Sequence, residues 1–197
     1  MNIHTILKNW NIEITDEKSY IEELCDKNKA YFIDRFPYPI KNCDKANQLL
    51  FSYKDVLEGK YSKSEFLNTE KKYRNIFNKF WAYNKTFVEY TPNHCPSQIC
   101  EFISSLDPEY KKFSCVLEDK NYIDNMVEIK NREELEFWVQ IVLRNDIDVT
   151  FYFEDYELLV FSPPVIDVQG FNISLNNKKH LDFVKNIMSS EGIYLRG

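Results

Sequence analysis

"DVTFYFEDYELLVFS" (residues 148–162) decides how this chain is read. Its first eight residues alternate as a half-buried β-strand does, because successive side chains on a strand point to opposite faces. "YELLVFS" then continues as a second strand after a tight turn. Pro163-Pro164 breaks that run, which marks an edge strand or a crossing between sheets.

Outward from this segment the pattern alternates between sheet and helix. On the C-terminal side, "VIDVQ" and "FNISL" flank Gly170 as a bent strand or a hairpin. Asn177 opens a last helix with Leu181, Val184, Ile187 and Met188 inward. His180 falls in its first turn, where an exposed polar residue is expected; Gly192 suits the C′ position, and "IYLR" returns to the sheet. On the N-terminal side, "FSCVL" (113–117) and "NMVEIK" (125–130) read as strands. Asn131 and Glu134 open a helix whose buried side is Leu135, Trp138, Val139, Val142 and Leu143.

The first half reads as helices. Thr15 caps a stretch in which Tyr20, Ile21, Leu24, Cys25, Tyr31 and Phe32 recur at helical spacing, until Pro37 and Pro39 stop it. Asp44 precedes a second helix with Ala46, Leu49, Leu50, Tyr53, Val56 and Leu57 on one face, ended by Gly59. Ser62 and Glu65 have the spacing of a capping box for a third helix reaching about Glu89, with the stripe Phe66, Tyr73, Phe77, Phe80, Trp81, Phe87 and Val88. A short helix with Ile99, Phe102, Ile103 and Leu106 follows "TPNHCP". Helices first, then β-α-β-β-β-α-β, is the order of an α+β fold. The expectation is an N-terminal helical half followed by a small mixed or antiparallel sheet with two packed helices. Residues 1–92 would form the helical region and 93–197 the α+β region, as two units or one continuous domain.

The chain of 197 residues is long enough for a sizeable core without staples, and its apolar (44%) and charged (28%) shares are ordinary for a globular protein. Its abundant Asn, Lys, Ile, Tyr and Phe fit an AT-rich coding sequence. The net charge of −6 makes non-specific nucleic-acid binding a poor expectation, since phosphate backbones reward clustered Lys and Arg. The N-terminus lacks an uninterrupted apolar h-region, and no apolar run reaches membrane-spanning length, so a cytoplasmic location is expected. Five cysteines, an odd number at irregular spacings, disfavour a disulfide framework.

Three constellations could carry chemistry. "NHCPSQIC" (93–100) offers His94, Cys95 and Cys100 as zinc ligands, with Cys43 or Cys115 as a distant fourth. No C-x-x-C occurs, and a helix start with Pro96 at N1 and Cys100 turned inward explains the stretch more simply. Cys95 as a nucleophile beside His94 rests on sequence adjacency alone. Glu128-Ile129-Lys130, with Asp119 and Asp124 upstream, has the order of a metal-dependent nuclease: two acids hold Mg²⁺ and the lysine positions the attacking water. The plainer account is two solvated charges flanking a buried isoleucine. No dinucleotide fingerprint, P-loop, zincin helix, nucleophile elbow or EF-hand loop occurs.

The third feature is aromatic excess, with 15 Phe and 13 Tyr. Tyr38, Tyr61, Tyr83, Tyr90, Tyr110, Tyr122 and Tyr194 fall near element ends or off the main apolar faces. Surface tyrosines, acidity and no catalytic motif point to a non-enzymatic protein-binding module without a cofactor. Its concrete form would be an inhibitor or bacterial immunity-type protein masking a basic partner, with Asp148, Glu154, Asp155 and Glu157 near strand ends as the binding acids.

Overall fold

The computed structural model describes residues 3–12, 30–42, 44–45, 49, 52–90, 126–144, 149–162 and 171–196. Within them the hairpin read from "DVTFYFEDYELLVFS" is present as β4 (Val149–Phe153) and β5 (Leu158–Phe161), paired antiparallel from Thr150↔Phe161 to Phe153↔Leu158. It lies near the middle of a seven-stranded antiparallel sheet. The remaining strands are β1 (Ala30–Asp34), β2 (Thr86–Tyr90), β3 (Met126–Glu128), β6 (Phe171–Leu175) and β7 (Tyr194–Arg196). Their spatial order is β3-β2-β4-β5-β6-β1-β7. The protein is therefore α+β, and its sheet is larger than the small one expected.

Helices cover one face of this sheet: α3 (Lys63–Ala82), α4 (Arg132–Arg144) and α5 (Leu181–Ser190). A short α2 (Tyr53–Leu57) packs Tyr53 on Phe66 of α3, with ring centroids 5.0 Å apart. Phe66, Tyr73, Phe77 and Phe80 recur along α3 at intervals that keep them on one side, and all four are buried. Phe77 meets Phe151 of β4 edge-on at 4.6 Å and Phe171 of β6 at 4.9 Å, so this helix clamps the sheet through rings.

On the opposite face, α1 (Ile3–Asn9) and the turn after it pack over β2 to β5. Ile6, Leu7, Trp10 and Ile12 form a second buried cluster with Phe87, Met126, Tyr152, Leu159 and Phe161. Strand β4 is consequently buried along its whole length rather than on one face. Its alternation of Phe and Tyr sorts residues between two apolar layers, and the tyrosine ends its ring in a hydrogen bond from Oη to the Glu89 carboxylate.

The first half departs from the expected all-helical arrangement. Tyr31 and Phe32 belong to β1, which pairs with both β6 and β7. Helix α3 ends at Ala82 instead of near Glu89, and Phe87 and Val88 are sheet residues opposite Tyr152 and Phe151. Asn84 explains the stop: its side-chain amide donates to the Phe80 carbonyl at 2.7 Å, taking up a helix-end acceptor. The following Thr86–Tyr90 run is aromatic and β-branched, and it finds strand partners on both sides. The helix expected after Asp44 is interrupted at Ser52, an extended N-cap whose hydroxyl accepts from the Asp55 amide while Asp55 accepts from the Ser52 amide. Strands β1 and β2, from residues 1–92, thus sit between strands from 93–197 in one sheet.

The later elements match their reading. Lys130 and Asn131 cap α4 through Glu134: the Glu134 amide donates to Asn131 Oδ1 at 3.0 Å and the Lys130 amide to Glu134 Oε2 at 3.1 Å. Asn177 accepts from the Lys179 amide at the start of a 3₁₀ turn leading into α5. Gly192 closes α5 with φ 66°, a left-handed conformation that suits glycine. β5 itself is an interior strand; Pro163, Pro164 and the "VIDVQ" segment lie outside the described residues, as do "FSCVL" and the short helix around Ile99–Leu106.

Candidate functional site: an aromatic ledge at the β4–β5 turn

The β4–β5 connection is a 3₁₀ turn over Glu154–Tyr156, closed by Glu157 in a left-handed conformation with φ 50°. Two strands joined this tightly leave turn amides and carbonyls to be satisfied from outside. The α3–β2 junction supplies the partners. The Glu154 amide donates to the Lys85 carbonyl at 2.9 Å, and the Tyr156 amide donates to Asn84 Oδ1 at 2.9 Å. The Lys85 amide donates in return to Asp155 Oδ2 at 2.8 Å. On the other side, Asn176 Nδ2 donates to the Glu157 carboxylate at 2.6 Å and to the Trp10 carbonyl at 2.8 Å.

The acids expected to bind a partner therefore divide. Asp155 and Glu157 hold the turn to its neighbours, while Glu154 is half-buried beside them. Asp148 lies outside the described residues.

What the turn presents outward is aromatic. Tyr83, the residue that caps the C-terminus of α3, is 60% exposed and meets Phe183 of α5 edge-on at 5.5 Å. Phe183 meets Tyr156 at 4.6 Å, and Tyr156 carries the His180 ring tilted over it at 4.5 Å. Four rings from three chain segments make one half-exposed ledge. In the chain, the ring residues are flanked by charges of both signs: Glu154, Asp155 and Asp182, and Lys178 and Lys179. Burial holds the His180 imidazole below its usual range, the Lys179 charge pushes it further down, and Glu157 opposes both.

Of the seven tyrosines singled out in the sequence, Tyr83 contributes to this ledge. Tyr38 (79% exposed) and Tyr194 (38%) are on the surface elsewhere. Tyr90 is a correction: it is buried, stacked on Trp138 at 5.6 Å, because β2 is a sheet strand and not a helix end. Tyr61 packs against the Tyr53–Phe66 pair, and Tyr110 and Tyr122 lie outside the described residues. Tyr156 and Phe183 carry no signal of their own, and His180, expected as an exposed polar residue in the first turn of the last helix, is instead half-buried in the 3₁₀ turn that precedes α5. Phe183 was legible only as an apolar residue just off the Leu181, Val184, Ile187 stripe.

The other constellations are only partly described. Glu128 stands exposed at the end of β3 opposite Phe87, with its carboxylate 3.9 Å from Lys85 Nζ. Ile129 is buried between it and the exposed Lys130. Asp119 and Asp124 lie outside the described residues, as do His94, all five cysteines and hence the zinc set His94, Cys95 and Cys100. Among the described residues no group of three or more His, Cys, Asp or Glu could hold a metal ion. No helix among them is long and apolar enough to cross a membrane.

Three further carboxylates are absorbed in packing between helices. Glu70 is buried and accepts from Arg144 Nη2 at 2.9 Å and from Gln140 at 3.2 Å. Glu136 accepts from Arg74, Arg132 and Asn78, and Glu191 from Lys79 and Asn75. The fold and ledge together describe an α+β protein with an aromatic surface at one end of its sheet. Compared with known proteins, the chain matches no family model, no curated protein and no solved structure.

Proposed function

We propose that the protein is a non-enzymatic, cytosolic protein-binding module, of the inhibitor or immunity type, that covers a site on a basic partner. The observation that carries this reading is the ledge of Tyr83, Phe183, Tyr156 and His180 beside the exposed Asp155. Aromatic side chains with an apolar body and a polar tip dominate the energetics of protein interfaces, and a rigid base lowers the entropy lost on docking. The base here is rigid because the turn is hydrogen-bonded to two neighbouring segments. A net charge of −6 favours encounter with a basic protein over an acidic one.

The test is capture from the native lysate at moderate salt, comparing wild type with Tyr83→Ala and with the surface control Tyr38→Ala. One stoichiometric protein held by wild type and Tyr38→Ala, but lost from Tyr83→Ala, is the expected result. A partner held equally by all three would place binding elsewhere.

A further inference from the structure

The ledge contains a titratable ring, and its position there is not that of an ordinary surface histidine. His180 ends the 3₁₀ turn Lys178–His180, and its backbone amide donates to the Asn177 carbonyl at 3.2 Å. Helix α5 begins at the next residue, so the imidazole sits at the positive end of that helix. Its ring lies tilted at 36° against Tyr156, which meets Phe183 edge-on, and Phe183 in turn meets Tyr83 edge-on. Any change at His180 is therefore three contacts away from Tyr83, the most exposed ring of the ledge.

The charged groups around it come from both packed elements. Lys179 on its own turn opposes a positive imidazole, and Glu157 from the β4–β5 turn favours one. Glu157 is already engaged by Asn176, which limits what it can offer a second cation. Attraction between an imidazolium and the Tyr156 face also favours the charged form. Burial and the Lys179 charge outweigh Glu157, so the His180 imidazole is held below its ordinary value.

We propose that His180 is a pH-sensitive switch for the ledge: protonation lifts the imidazole from Tyr156 toward water and loosens the edge-on Tyr156–Phe183–Tyr83 contacts. Gaining a proton at this position places a third positive charge after Lys178 and Lys179, at a helix end that already disfavours cations. The sign follows from a depressed folded-state value. The neutral, packed ledge is complete above the unfolded histidine value of about 6.5 and is lost as the pH falls through the lower folded one. The consequence for a bound partner rests on the reading of the ledge as the binding surface; the ring rearrangement does not.

The experiment uses the full chain without any partner, so its outcome is independent of whether the ledge binds one. Side-chain resonances of His180, Tyr83 and Phe183 are followed by NMR from pH 8 to pH 5, in wild type and in His180→Asn, a residue that tolerates helix starts. The expected result is a His180 midpoint below 6.5, with Tyr83 and Phe183 shifting at the same midpoint in wild type and staying flat in His180→Asn. A midpoint at or above 6.5, rings that do not follow His180, or rings that still titrate in His180→Asn would each overturn the switch.

Discussion

At the scale of single residues, the buried pair Glu70–Arg144 makes the sharpest demand on the fold. Their side chains are 1% and 8% exposed, and the guanidinium also lies 5.3 Å over the Tyr53 ring. Removing one member of a buried pair strands the other charge, which costs about 3–5 kcal/mol. Glu70→Ala is expected to lower the unfolding free energy from urea titration by that amount, while Glu70→Leu combined with Arg144→Met recovers most of it. A double variant as weak as the single one would show that the pair contributes more than charge balance. Phe77 presents the apolar counterpart. It touches Phe151, Phe153 and Phe171 at once, so Phe77→Ala opens a cavity at the centre of the main core and should cost about 3–5 kcal/mol in the same measurement.

Between elements, carboxylates on one helix knit it to the next. Burial pushes the Glu136 carboxyl of α4 up, but hydrogen bonds from Asn78 and Arg132 and the charge of Arg74 outweigh that and hold it below its usual value of 4.5. Glu191, following α5, behaves the same way: burial raises it, and Lys79 and Asn75 of α3 pull it lower. A depressed carboxylate stabilises the fold above its unfolded value, and that contribution is lost as the pH falls through the folded one. Thermal melting of wild type is therefore expected to drop below about pH 4.5, and Glu136→Gln to show a flatter acid limb. An unchanged acid limb in that variant would show that Glu136 plays no part in it. The α3–β2 junction depends on another side chain. Asn84→Ala removes the bonds to the Phe80 carbonyl and the Tyr156 amide, and should cost about 1–3 kcal/mol by leaving buried partners unsatisfied.

Across the whole molecule, buried apolar clusters lie on both faces of the sheet. Trp10 packs 6.3 Å from Tyr152, and its carbonyl is bound by Asn176, which also holds the ledge turn through Glu157. Trp10→Ala is expected to lower stability by about 3–5 kcal/mol and to increase binding of a hydrophobic dye, since it opens the α1 layer. Much of this architecture was legible in the sequence. The hairpin at 148–162, the α4 stripe with its Asn131–Glu134 cap and the α5 stripe ending in Gly192 are local patterns, each set by side-chain periodicity and a capping residue within a few positions. Such features depend on neighbours in the chain. Tyr31–Phe32 and Phe87–Val88 fit a helical period as well as a strand period; strand partners more than sixty residues away, such as Ile173 for Tyr31 and Tyr152 for Phe87, choose the sheet. The burial of β4 on both faces likewise required α1 from the far end of the chain. The ledge also joins segments distant in the chain: the residue capping α3, the β4–β5 turn and the start of α5. By itself the sequence determined the mixed α+β class and the elements whose periodicity is local; the tertiary structure decided which ambiguous runs became strands and which scattered rings met, because both depend on the free energy of contacts between residues distant in the chain.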